Sequence, residues 1–261
     1  MKQILGAVRV VLVIGVLVGG TGLLLLAALL RLRWHGIPVA NRIPVGMSRL
    51  FNLIFNVRLT VHDHARLRAH RGFVVPNHIS FIDIVVMFAV MPVRFLSAIE
   101  VKRRPVIGWA ASAAGTIFVD RSDIHSRRQA VLAIADSYLA APDPPIVIFA
   151  EGRLGTGDRV YPFQLGLFKL AKQHNIAYLP VAIQYDRPDI AVWRGREGES
   201  LVEAGWKAAT FWGPLHVSVT PLDLVSPTSE DHAAQLADAA QVAIAAKLAL
   251  PAVPARAKAG E

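Results

Sequence analysis

His78 and Asp83 lie five residues apart in the stretch 77–83 (NHISFID), shortly after the apolar run 73–75. A strand that ends before His78 and a helix that begins near Asp83 would bring the carboxylate to the imidazole. An aspartate that accepts a hydrogen bond from one ring nitrogen fixes the tautomer and leaves the other nitrogen as a general base. The alternative is structural: Ser80 and Asp83 then only cap the helix, and His78 is an ordinary loop residue.

A general base of this kind needs a hydroxyl to deprotonate, and the sequence indicates no nucleophile of its own. The absence of Cys removes a thiolate nucleophile, a disulfide framework and a zinc–thiolate site. The GxSxG, HExxH and GxGxxG motifs are also absent, and the glycine-rich stretch 152–157 is followed by Asp158 where a phosphate-binding loop requires Lys. His62 and His64 are interpreted as parts of a solvated loop rather than as metal ligands. The hydroxyl is therefore expected on a substrate, and no metal or bound cofactor is expected.

Apolar runs and turn residues alternate along the chain after Leu59, which is typical of an α/β fold. Strands are predicted at 73–75, 94–98, 116–119, 146–150, 178–184 and 215–221. Helices are predicted at 81–90, 106–114, 124–141, 166–174, 201–211 and 230–248. The expected fold is a mixed, mainly parallel sheet flanked by helices, with an N-terminal membrane helix or helical hairpin.

The membrane segment is predicted from an uncharged run of 21 residues, Val10–Leu30. As a helix this run is about 31 Å long at ~1.5 Å per residue, enough to cross a hydrocarbon core of roughly 30 Å. A cleaved signal peptide is the weaker alternative, because the run is long and Arg31 and Arg33 follow at once. Three glycines in the stretch 19–22 weaken the helix, so a re-entrant hairpin stays open.

Positive charge is concentrated beside this run. The chain has 28 Lys and Arg against 19 Asp and Glu, a net charge of +9, and the stretch 31–71 alone carries eight Arg and one Asp. The positive-inside rule places the following domain on the cytoplasmic face, where the arginines suit anionic lipid headgroups. Nucleic acid is not expected as a partner, because Lys and aromatic residues are not interleaved. The stretch Met47–Leu59 is predicted as a helix with one apolar face.

Four blocks, in order along residues 74–185, resemble the glycerolipid acyltransferase family, best represented by the 1-acyl-glycerol-3-phosphate acyltransferases. The first is the His, four residues, Asp block at 77–83, and the others are 115–121 (GTIFVDR), 149–153 (FAEGR) and 176–181 (IAYLPV). The resemblance implies a membrane-bound O-acyltransferase that moves a fatty acyl group from an acyl thioester to a lysolipid hydroxyl. On this interpretation 1–59 is a membrane anchor with a basic amphipathic segment, 60–250 is the acyltransferase domain and 251–261 is a flexible tail.

The resemblance also implies roles for individual residues. His78 and Asp83 would form the catalytic pair. Substrate contacts are implied for residues in and between the blocks: Asn77, Ser80, Lys102, Arg121, Glu151, Gly152, Arg153 and Arg159. The third block departs from the Glu-Gly-Thr-Arg or Glu-Gly-Thr-Thr of the family, because it lacks Thr and its Arg comes one place early. The stretch 157–163 (GDRVYPF) is similar to family members that acylate other lysolipids.

Three functions follow as hypotheses. The favoured acceptor is 1-acylglycerol-3-phosphate, which would yield phosphatidic acid, and another lysolipid such as lyso-ornithine lipid is the alternative. The implied donor is acyl-CoA or acyl carrier protein, with membrane lipids as the other partners. A non-catalytic basic membrane-binding module is the third hypothesis, because helix capping alone also explains the spacing of His78 and Asp83.

Overall fold

One large sheet forms the centre of the molecule. The structure is a computed structural model that describes residues 1–34, 37–120 and 124–255. Within these residues the strands are β1 (Arg33–Trp34), β2 (Ile37–Pro38), β3 (Val57–Val61), β4 (Phe73–Pro76), β5 (Arg94–Ala98), β6 (Ile117–Val119), β7 (Ile146–Val147), β8 (Tyr178–Tyr185) and β9 (Leu215–Pro221). The α-helices in the same residues are α1 (Lys2–Leu29), α2 (Ile43–Ile54), α3 (His64–Ala69), α4 (Ile82–Val90), α5 (Ile99–Lys102), α6 (Ile107–Ala113), α7 (Ile124–Ala140), α8 (Leu165–Gln173), α9 (Pro188–Ala191), α10 (Leu201–Thr210) and α11 (Ala233–Leu248).

The topology of this sheet brings three strand ends together. In the described residues, β1 pairs only with β2, and the other seven strands have the order β3-β9-β8-β4-β7-β5-β6. Neighbouring strands are parallel except for β8 and β9, so the predicted mixed, mainly parallel sheet is confirmed. Because β7, β4 and β8 are parallel neighbours, their carboxyl ends lie at one edge of the sheet. Ligands of open α/β sheets bind at this edge.

Two apolar layers pack on the two faces of the sheet. Successive strand residues point to opposite faces, so Val74 and Ile183 belong to one layer and Phe73 and Tyr178 to the other. Helices α2, α4 and α10 cover the first face, while α8 and α11 cover the second. Both faces are therefore protected from water, as parallel sheets require.

The predicted elements agree with the structure within a few residues, with one clear exception. β5 and β9 have their predicted bounds, whereas β7 ends at Val147, although the N–H of Ile148 still donates to the carbonyl of Val74 before the chain turns at Phe149. The helix predicted over Met47–Leu59 is wrong at its C-terminal end. α2 ends at Ile54, Asn56 adopts a left-handed conformation with a φ of 55°, and β3 follows. The boundary predicted at residue 59 thus falls inside a strand of the central sheet.

The N-terminal segment α1 is one continuous helix and not a hairpin bent at its glycines. It is long and apolar enough to cross a membrane. Gly6 packs against Thr210 of α10 and Gly20 against Met47 of α2, so one face of α1 lies on the rest of the protein. The other face exposes large apolar side chains: Ile4, Val8, Val11, Leu12, Ile14, Val18, Leu23, Leu25, Leu26 and Leu29.

Candidate active site

His78 and Asp83 form a hydrogen-bonded pair at the carboxyl end of β4. Nδ1 of His78 lies 2.9 Å from Oδ2 of Asp83, which is fully buried in the first turn of α4. The same Oδ2 accepts the backbone N–H groups of Ile79 and Ser80 at 2.8 Å. Asp83 therefore organises the loop before the helix and also orients the imidazole. Its carboxylate makes the contacts of both sequence interpretations, helix capping and a His–Asp pair.

The His78 ring has one nitrogen left for a ligand. Its side chain is 16% exposed, and none of the described residues hydrogen-bonds to Nε2. The ring stacks on Phe149 with 3.8 Å between centroids and 18° between planes. With Asp83 on one edge and Phe149 on one face, the ring has a fixed orientation and the Nε2 edge is available to a substrate hydroxyl.

Glu151 fixes the backbone that carries His78. Its Oε1 accepts the N–H of His78 at 2.9 Å, and its Oε2 accepts the N–H of Tyr161 at 3.1 Å. The N–H of Gly155 donates to the carbonyl of His78, and a Cβ at Gly155 would lie 3.3 Å from both this carbonyl and Oε2. Burial raises the pKa of Glu151 to about 7, against the two backbone hydrogen bonds, which lower it. The third block is thus bound directly to the loop of the first.

Asn77 and Ser80 use their polar atoms inside the protein. The Asn77 side chain donates to the carbonyl of Ile183 at 3.0 Å and accepts its N–H at 2.8 Å, as a neighbouring strand would. Oγ of Ser80 is fully buried and accepts the N–H of Ile82 at 3.1 Å. Both residues hold the loop around His78, and contact with substrate stays a prediction for them, as it does for Glu151.

Within the described part of the chain, the predicted cationic residues lie at the surface and form no hydrogen bond with His78 or Asp83. The Arg153 guanidinium lies 3.6 Å above the Tyr161 ring centroid, and Arg159 pairs with Asp158 at 2.6 Å on the surface of the same loop. Lys102 is exposed at the end of α5, with Nζ 5.7 Å from the centroid of the Phe118 ring.

Gly152 and Arg121 are the remaining residues predicted to contact substrate. Gly152 adopts a φ of 65° in the turn that follows Phe149, a conformation that favours glycine. Arg121 lies outside the described residues.

Tyr185 belongs to the site although its sequence position did not suggest it. Its hydroxyl donates to Oδ1 of Asp83 at 2.6 Å from the end of β8, 102 residues away along the chain. Burial and the Asp83 charge raise the pKa of Tyr185 well above its usual value, so the phenol remains a donor. The sequence did not single out Tyr185, because Tyr178 at the other end of β8 is also a buried tyrosine.

Other histidines of the described residues have separate surroundings. His62 contacts Oγ of Ser218 at 3.0 Å and His64 contacts the carbonyl of Val90 at 3.3 Å. No group of three or more His, Asp and Glu side chains in the described part of the chain is placed to hold a metal ion. His216 and Asp186 form a second His–Asp pair at 2.7 Å, but both side chains are well exposed.

The sequence and the fold are similar to those of known acyltransferases. A lyso-ornithine lipid O-acyltransferase of Brucella abortus is 30% identical over 197 residues, which cover 70% of each chain. A 1-acyl-sn-glycerol-3-phosphate acyltransferase of Neisseria meningitidis is 28% identical over 145 residues, or 56% of each chain. The crystal structure of the 1-acyl-sn-glycerophosphate acyltransferase PlsC of Thermotoga maritima has the same fold, with a TM-score of 0.69 over 95% of this chain and 97% of that one at 14% identity. The sequence model of the acyltransferase family matches residues 58–184, and the chain belongs to this family.

Proposed function

We propose that this acyltransferase moves an acyl group from an acyl thioester to the hydroxyl of a lyso-ornithine-type lipid, with His78 as the general base. The observation that carries the mechanism is the buried 2.9 Å bond between His78 and Asp83, with Nε2 of His78 left available. The lysolipid class follows from the family, and the choice of acceptor rests on the relatives and on the third block.

The reaction needs one base in a fixed position. Nε2 of His78 takes the hydroxyl proton while the hydroxyl oxygen attacks the thioester carbonyl carbon, and Asp83 stabilises the imidazolium that forms. The C–S bond of the tetrahedral intermediate then breaks, and the thiolate leaves and recovers the proton from His78. A thiol has a pKa of about 8.5, so its departure needs little assistance from an acid.

The loop that follows the third block, residues 153–161, offers both signs of charge to the acceptor headgroup. Hydrogen bonds from Arg159 and Thr156 lower the pKa of Asp158 to about 2, so this residue is a carboxylate paired with the Arg159 guanidinium, and the Arg153 guanidinium lies over Tyr161 in the same loop. A phosphate dianion would be repelled by Asp158, whereas an amino-acid headgroup carries a carboxylate and an ammonium. Three of the relatives named lyso-ornithine lipid O-acyltransferases are 30–34% identical, which supports the same acceptor.

Lysophosphatidic acid is the second candidate acceptor. The two arginines of the loop can each bind phosphate oxygens by charge-assisted hydrogen bonds. Relatives named 1-acyl-sn-glycerol-3-phosphate acyltransferase, 28% identical over 56% of the chain, support this candidate. The proton transfer at His78 would be the same for both candidates, because each acceptor presents a hydroxyl.

The proposed place of reaction is the cytoplasmic surface of the membrane. The exposed apolar face of α1 supports membrane association, and the basic stretch 31–71 supports the cytoplasmic face. A lysolipid leaves the bilayer only at a cost of roughly 0.8 kcal/mol per methylene, so the site must work next to it. The net charge of +9 suits either anionic donor, acyl-CoA or acyl carrier protein.

Thiol release from a long-chain acyl-CoA or acyl carrier protein, measured with detergent-purified protein, tests the proposal. Lyso-ornithine lipid and lysophosphatidic acid serve as separate acceptors. We expect His78→Ala to lower turnover roughly 10²–10⁴-fold. We expect His216→Ala to leave it unchanged, because that histidine belongs to the exposed pair with Asp186.

The outcomes separate the parts of the proposal. Full turnover by a folded His78→Ala variant would contradict the mechanism. Turnover with lysophosphatidic acid alone would contradict the proposed acceptor and leave the mechanism in place.

A further inference from the structure

The two oxygens of the Asp83 carboxylate have different partners. Oδ2 accepts three hydrogen bonds, from Nδ1 of His78 and from the backbone of Ile79 and Ser80. Oδ1 accepts the hydroxyl of Tyr185 at 2.6 Å, and Asp83 and Tyr185 are both buried. The carboxylate is therefore held from two directions, by its own loop and by β8.

The fold places Tyr185 under Asp83 through the pairing of β4 with β8. These strands are parallel, with Pro76 opposite Val181, and β4 ends there. The Asn77 side chain continues the pairing by binding both backbone groups of Ile183. β8 thus runs on past β4, and Tyr185, two residues after Ile183, points to the face covered by α4.

We propose that Tyr185 is a positioning residue for acyl transfer: its hydroxyl holds Oδ1 of Asp83, which keeps Oδ2 on His78 and sets the basicity of that histidine. This inference rests on the proposed role of His78 as the base. Tyr185 does not touch the reacting atoms and acts only through Asp83.

The direction of the effect follows from the charge on the carboxylate. A strong donor on Oδ1 draws negative charge away from Oδ2, so the carboxylate stabilises the His78 imidazolium less. Loss of the donor concentrates charge on Oδ2, which favours the imidazolium and should move the acid limb of the pH profile to higher pH. It also removes one of the two restraints on the carboxylate plane, so the imidazole is less well oriented.

Tyr178 provides a matched control on the same strand. It is also buried, but it points to the opposite face of the sheet, where its hydroxyl donates to the carbonyl of Leu236 at 3.3 Å. Titratable groups that face the Asp83 site are His78 on its own loop, Tyr185 on β8 and Glu151 in the third block. Only Tyr185 among them can be altered without changing the proposed base or its backbone support.

The experiment measures kcat, KM and the pH profile of kcat/KM for wild type, Tyr185→Phe and Tyr178→Phe with the acceptor that supports turnover. Tyr185→Phe is expected to lower kcat roughly 10–100-fold at an almost unchanged KM, the effect of losing one hydrogen bond to a charged group. Its acid limb is expected to move to higher pH, while Tyr178→Phe keeps the wild-type profile. Incorporation of 3-fluorotyrosine at position 185 preserves the ring and gives a more acidic donor, so the acid limb is expected to move to lower pH.

The results distinguish this inference from the proposed function. An acid limb that stays in place in both Tyr185 variants, while His78→Ala is inactive, would overturn the positioning role and leave His78 as the base. A Tyr178→Phe variant with the same pH shift as Tyr185→Phe would overturn it as well, because the effect would then be general to the strand. Absence of acyl transfer by the wild type overturns both. Thermal unfolding of each variant identifies any loss of activity that comes from misfolding.

Discussion

Asp83 and Glu151 are buried side chains that both hydrogen-bond to His78 and perform different tasks. Asp83 binds the imidazole, the backbone of its own loop and a tyrosine. Glu151 binds two backbone amides, one from His78 and one from Tyr161. Orientation of the ring and position of its backbone are thus set by separate residues, and the two can be perturbed separately.

Glu151→Gln is expected to change how stability depends on pH. The pKa of Glu151 is about 7 in the folded protein and near 4.5 in the unfolded chain, so the carboxyl group stays protonated to a higher pH in the folded state. The contribution of Glu151 to wild-type stability therefore falls as pH rises from about 4.5 to 7, by up to about 3 kcal/mol. Glutamine does not titrate, so the unfolding free energy of wild type minus that of the variant should decrease over this interval in denaturant titrations.

Glu203→Gln is the matched control for this prediction. Glu203 accepts the N–H of Ser200 at 2.7 Å in an exposed capping box, and this bond lowers its pKa. A group with a lowered pKa stabilises the fold above its unfolded pKa and loses that contribution as the pH falls. The difference between wild type and this variant should therefore increase with pH. Equal slopes for the two variants would contradict the burial of an ionisable Glu151.

The side chain of Arg94 connects β5 to the end of α7. Its guanidinium donates to the carbonyl and hydroxyl oxygens of Ser137, to the carbonyl of Ala141 and to that of Pro144. Carbonyl groups at a helix C-terminus have no partner within the helix, and Arg94 supplies one from a neighbouring strand. α7 is thereby fixed to the sheet edge next to β6.

Arg94→Met is expected to lower the free energy of unfolding by about 2–4 kcal/mol, because three carbonyl groups, of which that of Pro144 is buried, lose a charged donor. Arg71→Met is the control, since Arg71 pairs with Asp143 at 3.4 Å and donates to the carbonyls of Arg68 and His70 at the surface, and its loss should cost less than about 1 kcal/mol. Thermal or denaturant unfolding measures both. Similar losses for the two variants would mean that the contact of Arg94 with α7 contributes no more than the surface contacts of Arg71.

The elements differ in how far their sequences determine them. β5 and β9 were predicted because each is a short run between turn residues, so local pattern suffices. β3 was missed because the 3,4 spacing of Leu50, Leu53, Ile54 and Val57 continues a helical pattern across Asn56, and the left-handed turn there has no strong sequence signal. Contacts such as Tyr185 with Asp83 depend on the register of β4 with β8, which spacing along the chain does not encode.

The position of α1 on the acyltransferase domain determines how the whole molecule meets the membrane. Its N-terminal part meets α10, where Nη1 of Arg9 donates to the carbonyls of Ala209 and Phe211 at 3.1 and 2.6 Å. Its C-terminal part meets α2, where Gly20 packs on Met47. A helix held at both places lies along the domain with its apolar face outward. We therefore expect it to rest against the bilayer surface with the domain, and not to leave the domain and cross.

Disulfide cross-linking in membranes tests this arrangement, and the chain has no native Cys to interfere. A Cβ at Gly6 would lie 2.7 Å from Cγ2 of Thr210, so the two Cβ atoms are within about 4.2 Å once a bond of about 1.5 Å is added. Gly6→Cys combined with Thr210→Cys should therefore cross-link under mild oxidation, seen as faster migration on a non-reducing gel. Gly15→Cys with Thr210→Cys should not, because no atom lies within 4 Å of a Cβ at Gly15. Failure of the first pair in protein that still turns over substrate would mean that α1 leaves α10 in the membrane, since catalysis would then proceed without the contact made by Arg9.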